Sequence, residues 1–174
     1  MMRTFSLVLA LGGALVLAAC ARAEPTGQAA DAAAAGSAAA GSPEAAKAWL
    51  AENGRKSGVT TLPSGVQYKV TRSGPKDGPT PKASDTIKVH YEGTLTDGTK
   101  FDSSYDQGSP LVARLDRLVP GWIEAVQLMR PGDEWMLYLP PEQAYGAEGG
   151  GPIPPYSVLV FRIELLGVLP NAGG

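Results

Sequence analysis

The stretch TIKVHYEGTLTDGTKFDSS, residues 86–104, decides the fold. Ile87, Val89, Tyr91 and Leu95 recur on one face, and Lys88, His90, Glu92 and Thr94 on the other. Period-two alternation marks a strand with one side against a core. Asp97-Gly98 is a two-residue hairpin signal, because the tight turn needs positive φ at its centre, and TKFDSS returns as the partner strand. A hairpin closed there sets Asp102 almost opposite Gly93 and diagonally near Tyr91. His90 is the chain's only histidine. Strand parity puts it on the polar face, where a lone histidine is read as solvated. Tyr91 points inward, and its hydroxyl needs a partner in apolar surroundings. The Asp102 carboxylate satisfies that need.

The flanking segments extend the pattern. GVQYKV (residues 65–70) reads as a short alternating strand, and GPKDGPTPKASD (74–85) as a turn-rich loop. VPGWIEAVQLMRPGD gives one helix, with Trp122, Ala125, Val126 and Met129 at the spacing of a buried face, ended by Arg130-Pro131-Gly132. EWMLYLP is a strand and YGAEGGGPIPPYS a Gly/Pro-rich loop. VLVFRIELLGVL is the last strand, with Leu159, Phe161, Ile163 and Leu165 on one face. Strands, one central helix, then strands predict an α+β fold with an antiparallel sheet wrapped against the helix. Upstream, SPEAAKAWLAENG reads as a short helix with Ser42 as N-cap, Pro43 in its first turn and Asn53-Gly54 as its stop. Its face of Ala46, Trp49 and Leu50 either docks on the domain or belongs to a dimerisation arm.

Composition narrows the chemistry. The 174 residues carry a formal net charge of −2 and hold no Lys/Arg run, which argues against nucleic acid. One histidine and one cysteine cannot form the usual zinc site, nor can a lone cysteine build a disulfide framework. No G-x-S-x-G elbow, calcium loop or phosphate loop occurs. A nucleophilic, metal or cofactor mechanism is therefore not expected.

The single cysteine is explained by its place. Arg3 precedes an uncharged apolar run that ends in Leu17-Ala18-Ala19-Cys20. The run has the layout of a secretion signal. Small residues before cysteine resemble the lipobox of bacterial lipoproteins, which implies cleavage before Cys20 and its lipidation. The alternative is an ordinary signal cut after Ala21–Ala23, with Cys20 discarded. Residues 20–41 form an Ala/Gly/Ser-rich stretch read as a flexible tether. The expected division is a signal over 1–19, a tether over 20–41, a helix and connector over 42–61, and one domain over 62–170.

VHYEGTLTDGTKFDSS, VPGWIEAVQLM, RPGDEWMLYLPPEQAYG and GPIPPYSVLVFRIELL resemble, in order, the signature blocks of FKBP-type peptidyl-prolyl cis–trans isomerases. TLPSGVQYKV resembles the lead-in strand of bacterial envelope members. The resemblance covers about Leu62 to Leu169. It implies a five-stranded antiparallel half-barrel wrapped around one central helix. It also implies catalytic roles for Tyr91, Asp102 and Tyr145, and a substrate pocket of Phe101, Leu111, Leu118, Val119, Trp122, Ile153 and Phe161. Three departures imply a more open pocket: Leu111 stands where many members carry an aromatic, the segment from Leu115 to Trp122 is shorter than in compact members, and GGGP follows Tyr145-Gly146 where some carry a histidine.

Taken together, these features imply an isomerase for proline-containing polypeptides that works without cofactor or metal. Macrolides such as tacrolimus and rapamycin are implied as ligands of the same pocket. A proline-site binding module with little activity is the alternative, and an anchored structural lipoprotein the third. The expected setting is the bacterial envelope, anchored through Cys20 and facing the periplasm. Ala21 lacks the aspartate of inner-membrane retention, which favours the outer membrane. A monomer is expected.

Overall fold

In the computed structural model the described residues are 41–169. The signal segment, Cys20 and nearly all of the tether lie outside them. The elements are α1 (Pro43–Asn53), β1 (Val59–Thr61), β2 (Gln67–Arg72), β3 (Thr86–Leu95), β4 (Lys100–Ser103), β5 (Leu111–Arg114), α2 (Pro120–Val126), β6 (Glu134–Leu139) and β7 (Leu159–Leu169). Single 3-10 turns lie at Leu115–Arg117 and Pro141–Gln143.

All the strand pairs are antiparallel, in the order β1-β2-β6-β7-β3-β4, with β5 also on β3. β5 pairs with Thr86–Val89 and β4 with Glu92–Thr94, so the two share one edge of β3. The sheet thus has the expected five positions, with three-residue β1 added outside β2. The strands Val59–Thr61 and Leu111–Arg114 are too short to show a period of their own. The fold is α+β, and the sheet does not close.

β3 is the central strand. Its inner face buries Ile87, Val89, Tyr91, Gly93 and Leu95, in the expected alternation. β7 contributes Leu159, Phe161, Ile163 and Leu165, and β6 contributes Trp135, Leu137 and Leu139. Against this surface α2 sets Trp122, Ala125 and Val126, with Met129 just beyond its end. α2 is shorter than the sequence suggests. It stops at Val126, and Leu128 and Met129 continue as i→i+3 turns onto Ala125 and Val126. That tighter winding keeps Met129 fully buried while releasing Leu128 to solvent.

The outer face is polar. Arg162 lies 3.0 Å from Glu134, and Arg72 lies 2.5 Å from Glu164. The Arg162 guanidinium holds the Glu134 carboxyl below its usual range. Such exposed pairs contribute little stability.

α1 docks on the domain. Ala46 is buried and Trp49 meets Tyr138 at 5.9 Å between ring centres. Ser42 caps the helix through its hydroxyl, which accepts from the Ala45 N–H at 3.1 Å. The anchor not seen in the sequence is Asn53, only 2% exposed, which donates to Gln67 Oε1 at 2.9 Å. Gln67 Nε2 in turn donates to the Leu50 carbonyl at 2.7 Å. This corrects the reading of GVQYKV as an alternating strand. Val66 and Gln67 are both buried and Val70 is 42% exposed, because Gln67 turns toward α1 rather than solvent. Gln67→Ala would strip both partners and leave a buried amide unmet, at a cost of about 1–3 kcal/mol. Denaturant unfolding should show that loss; an unchanged midpoint would mean that Asn53 and Gln67 do not anchor α1.

Candidate active site

The hairpin of β3 and β4 builds the site. Gly93 pairs with Asp102 as the sequence suggests, but the next pair is Thr94 with Lys100. Phe101 is therefore an extra residue, a β-bulge. Regular alternation would send Phe101 and Asp102 to opposite faces. The bulge re-aims the chain so that both serve the inner side. Gly93 makes room for this: a Cβ there would lie 2.6 Å from Phe101 Cζ and 2.8 Å from Phe161 Cε1.

Four rings then meet. Trp122 stands edge-on to Tyr91 at 5.4 Å and to Phe161 at 5.3 Å. Phe101 stands edge-on to Phe161 at 5.5 Å, and Tyr91 lies 6.4 Å from Phe161. Edge-to-face pairs of this kind are worth about 0.5–1.5 kcal/mol each beyond burial. The Trp122 Nε1 group is buried without an acceptor among the described residues.

Asp102 braces the cluster. Its Oδ2 accepts from the Tyr91 hydroxyl at 2.5 Å. Its Oδ1 accepts from its neighbour's backbone, Ser103 N, at 2.9 Å and from Gln107 Nε2 at 2.9 Å. Burial, and then the bond to Asp102, raise the Tyr91 phenol well above its ordinary value. Gln107 was not singled out in the sequence. Nothing in DSSYDQG marks it, because its reach to Asp102 depends on the turn after β4.

The remaining residues divide. Ile153 is buried in the same core, and Leu111, Leu118 and Val119 pack against it half-buried. The Val119 carbonyl accepts from Trp122 N at 2.9 Å, which starts α2 and aims the indole inward. Gly150 and Ile153 exchange backbone hydrogen bonds at 2.9 Å, closing the loop that delivers Ile153. Tyr145 is 45% exposed and its hydroxyl has no hydrogen bond among the described residues. Its ring lies over Gly150, where a Cβ would come within 2.9 Å. Cys20 lies outside the described residues.

His90 is not simply solvated, as parity had it. Its ring stacks on Tyr105 at 4.6 Å, and Nδ1 lies 2.9 Å from Ser104 Oγ. Ser104 accepts from Tyr91 N at 2.8 Å and donates to Tyr91 O at 3.2 Å. With Nδ1 as the donor, Ser104 Oγ accepts from the ring and from Tyr91 N while donating to Tyr91 O. His90 stays on the outer face, away from the rings.

An antiparallel sheet wrapped on one helix, with an aromatic cluster and a tyrosine–aspartate pair at its open side, defines a class of small α+β domain. The comparisons specify it. The family model for FKBP-type peptidyl-prolyl cis-trans isomerase matches residues 78–166, and that for the domain amino terminal to it matches 16–70. An FKBP-type isomerase, FkpA, of Aeromonas hydrophila is 51% identical over 72% of this chain and 47% of its own length. The outer membrane protein MIP of Legionella longbeachae is 45% identical over 70% of this chain and 52% of its own. The chain spans about half the length of these curated relatives. The crystal structure of Escherichia coli FkpA aligns with a TM-score of 0.68 at 43% identity, over 82% of this chain and 61% of that one. A peptidyl-prolyl isomerase from Pseudomonas syringae aligns with a TM-score of 0.68 at 40% identity, over 73% of this chain and 92% of that one. The chain belongs to the FKBP-type peptidyl-prolyl cis-trans isomerase family.

The raised phenol predicts a pH dependence. Folding favours the protonated phenol, so this stabilisation is complete below the ordinary value of 10.0 and is lost as pH rises toward the raised one. Unfolding free energies of the parent and Tyr91→Phe should differ by a constant amount up to about pH 10 and converge above it. A difference that stays flat through that range would contradict a buried neutral phenol.

Proposed function

We propose that the protein accelerates cis–trans isomerisation of X–Pro bonds in polypeptides. The observation that carries this is the four-ring cluster of Tyr91, Trp122, Phe161 and Phe101 braced by Asp102. Rotation about an X–Pro bond faces a barrier of about 18–20 kcal/mol set by amide resonance. No proton and no covalent bond has to move. The twisted amide loses its charge-separated resonance form and is less polar than the planar one. An apolar site strips water from the planar ground state and disfavours the twisted state less, which lowers the barrier.

In this reading the rings, with Ile153, Val119, Leu118 and Leu111, seat the prolyl ring. The Tyr145 hydroxyl, exposed and unengaged, is free to donate to a substrate carbonyl. Asp102 fixes Tyr91, and Gln107 fixes Asp102. The domain doing this work is taken over 62–170, with β2 paired along β6; the helix and connector over 42–61 are its lead-in, α1 docked on it and β1 extending its sheet along β2.

The envelope is the proposed setting. A relative's name places it in an outer membrane, and the apolar run ending in Leu17-Ala18-Ala19-Cys20 fits a lipid anchor facing the periplasm. Proline-containing polypeptides crossing that compartment are the substrates.

A proline-isomerisation assay on a chain beginning at Gly41 tests the activity. Asp102→Ala should lower kcat/KM by about 10-fold, which needs only about 1.4 kcal/mol of barrier. Tyr145→Phe should lower it severalfold, while His90→Ala leaves it nearly unchanged, because Ser104 still holds both backbone groups of Tyr91. No acceleration by the parent chain would favour a proline-binding module instead, and loss of activity in a folded His90→Ala protein would refute the desolvation account. For the anchor, Cys20→Ser should move the protein from the membrane to the soluble fraction; unchanged retention would reject lipidation.

A further inference from the structure

A second concave site lies on a different part of the domain, made from the end of β2, the loop after it, the turn after α2 and the start of β6. Its cleft measures about 340 Å3, within the range of small-ligand sites. One wall is apolar, formed by Val70, 42% exposed, and by Trp135, whose ring stacks on Tyr68 at 4.4 Å. The other wall carries Arg130 and Lys76, with Ser73 beside them.

The charge there is unbalanced. Asp133 also lines the cleft, but its carboxylate is engaged: Oδ1 accepts from Gly74 N at 2.6 Å and Oδ2 from Arg130 N at 2.8 Å. Neither Arg130 nor Lys76 forms an ion pair among the described residues. Two residues lining the cleft, Arg130 and Trp135, carry buried donors, Nε and Nε1, that have no acceptor among the described residues. Trp135 is itself only 6% exposed. Unmet buried donors are costly, and two on residues lining one cleft, with two unpaired cations, describe a site short of an acceptor.

The support is rigid. Gly74 packs so tightly on the turn after α2 that a Cβ would lie 2.3 Å from the Pro131 carbonyl. The Asp133 carboxylate ties this loop to that turn through the two backbone bonds. The Arg130 and Lys76 side chains have no hydrogen bond or ion pair among the described residues, so both are free to turn toward a ligand oxygen.

We propose that this cleft binds a small organic anion: a carboxylate or phosphate head held by Arg130 and Lys76, with an apolar body lying against Val70 and Trp135. The site is independent of the isomerase reading, since none of its residues belongs to the four-ring cluster or to the Asp102 brace.

Octanoate, octyl phosphate and 1-octanol, titrated into the full chain and followed by calorimetry and by amide and indole NMR shifts, test it. Octanoate or octyl phosphate should saturate, shift the Trp135 indole resonance and weaken as salt rises, while 1-octanol binds at least tenfold more weakly. Tighter octanoate assigns a carboxylate source, such as a polypeptide C-terminus; tighter octyl phosphate assigns a phosphate headgroup. Arg130→Gln should weaken binding about tenfold by removal of a charge-assisted bond, and Lys76→Gln, in an exposed loop where folding is not at stake, by a smaller factor. Both variants should isomerise prolyl peptides at the parent rate. Equal binding of 1-octanol, or affinity unchanged in Arg130→Gln and Lys76→Gln alike, would overturn the proposal and leave only an apolar crevice.

Discussion

The molecule depends on strand β3 being bonded along both edges with a glycine at its most crowded point. Gly93 pairs with Asp102 on one side and Phe161 on the other. Because it has no side chain, the rings of Phe101 and Phe161 can meet over its backbone. Phe161 in turn carries Trp122, and Trp122 fixes how α2 sits in the sheet. An added methyl at Gly93 would push the two phenyl rings apart, and with them the core contact that orients the helix.

The polar elements follow from this apolar frame. Tyr91 lies two residues before Gly93 on the same face, so its hydroxyl arrives beside the carboxylate that Gly93 faces. The pair is held at both ends. Ser104 grips the Tyr91 backbone, and Gln107 grips the far oxygen of Asp102. A carboxylate with that many donors is held in one orientation.

Much of this was legible in the residues. The period-two pattern of 86–95 and the Asp97-Gly98 turn specify strand, face and register, and the pairing of Gly93 with Asp102 follows from them. The helix face of Trp122, Ala125, Val126 and Met129 also reads directly. What did not read were features made by distant partners. Gln67 is buried because Asn53 and Leu50 reach it from α1. His90 is half-buried because Tyr105 folds over it from the turn after β4. Neither neighbour is at a strand or helix spacing, so no periodicity could reveal it.

The sequence by itself determined which faces are apolar, where the chain turns, and that a tyrosine and an aspartate would share one end of a hairpin. These are local consequences of side-chain period and turn chemistry. Only the tertiary structure decided that Phe101 joins Asp102 on the inner face. Alternation assigns adjacent residues to opposite sides, and the register shift between Gly93 and Thr94, which leaves Phe101 as an extra residue, re-aims it. The ring cluster exists because that one extra residue is accommodated over Gly93.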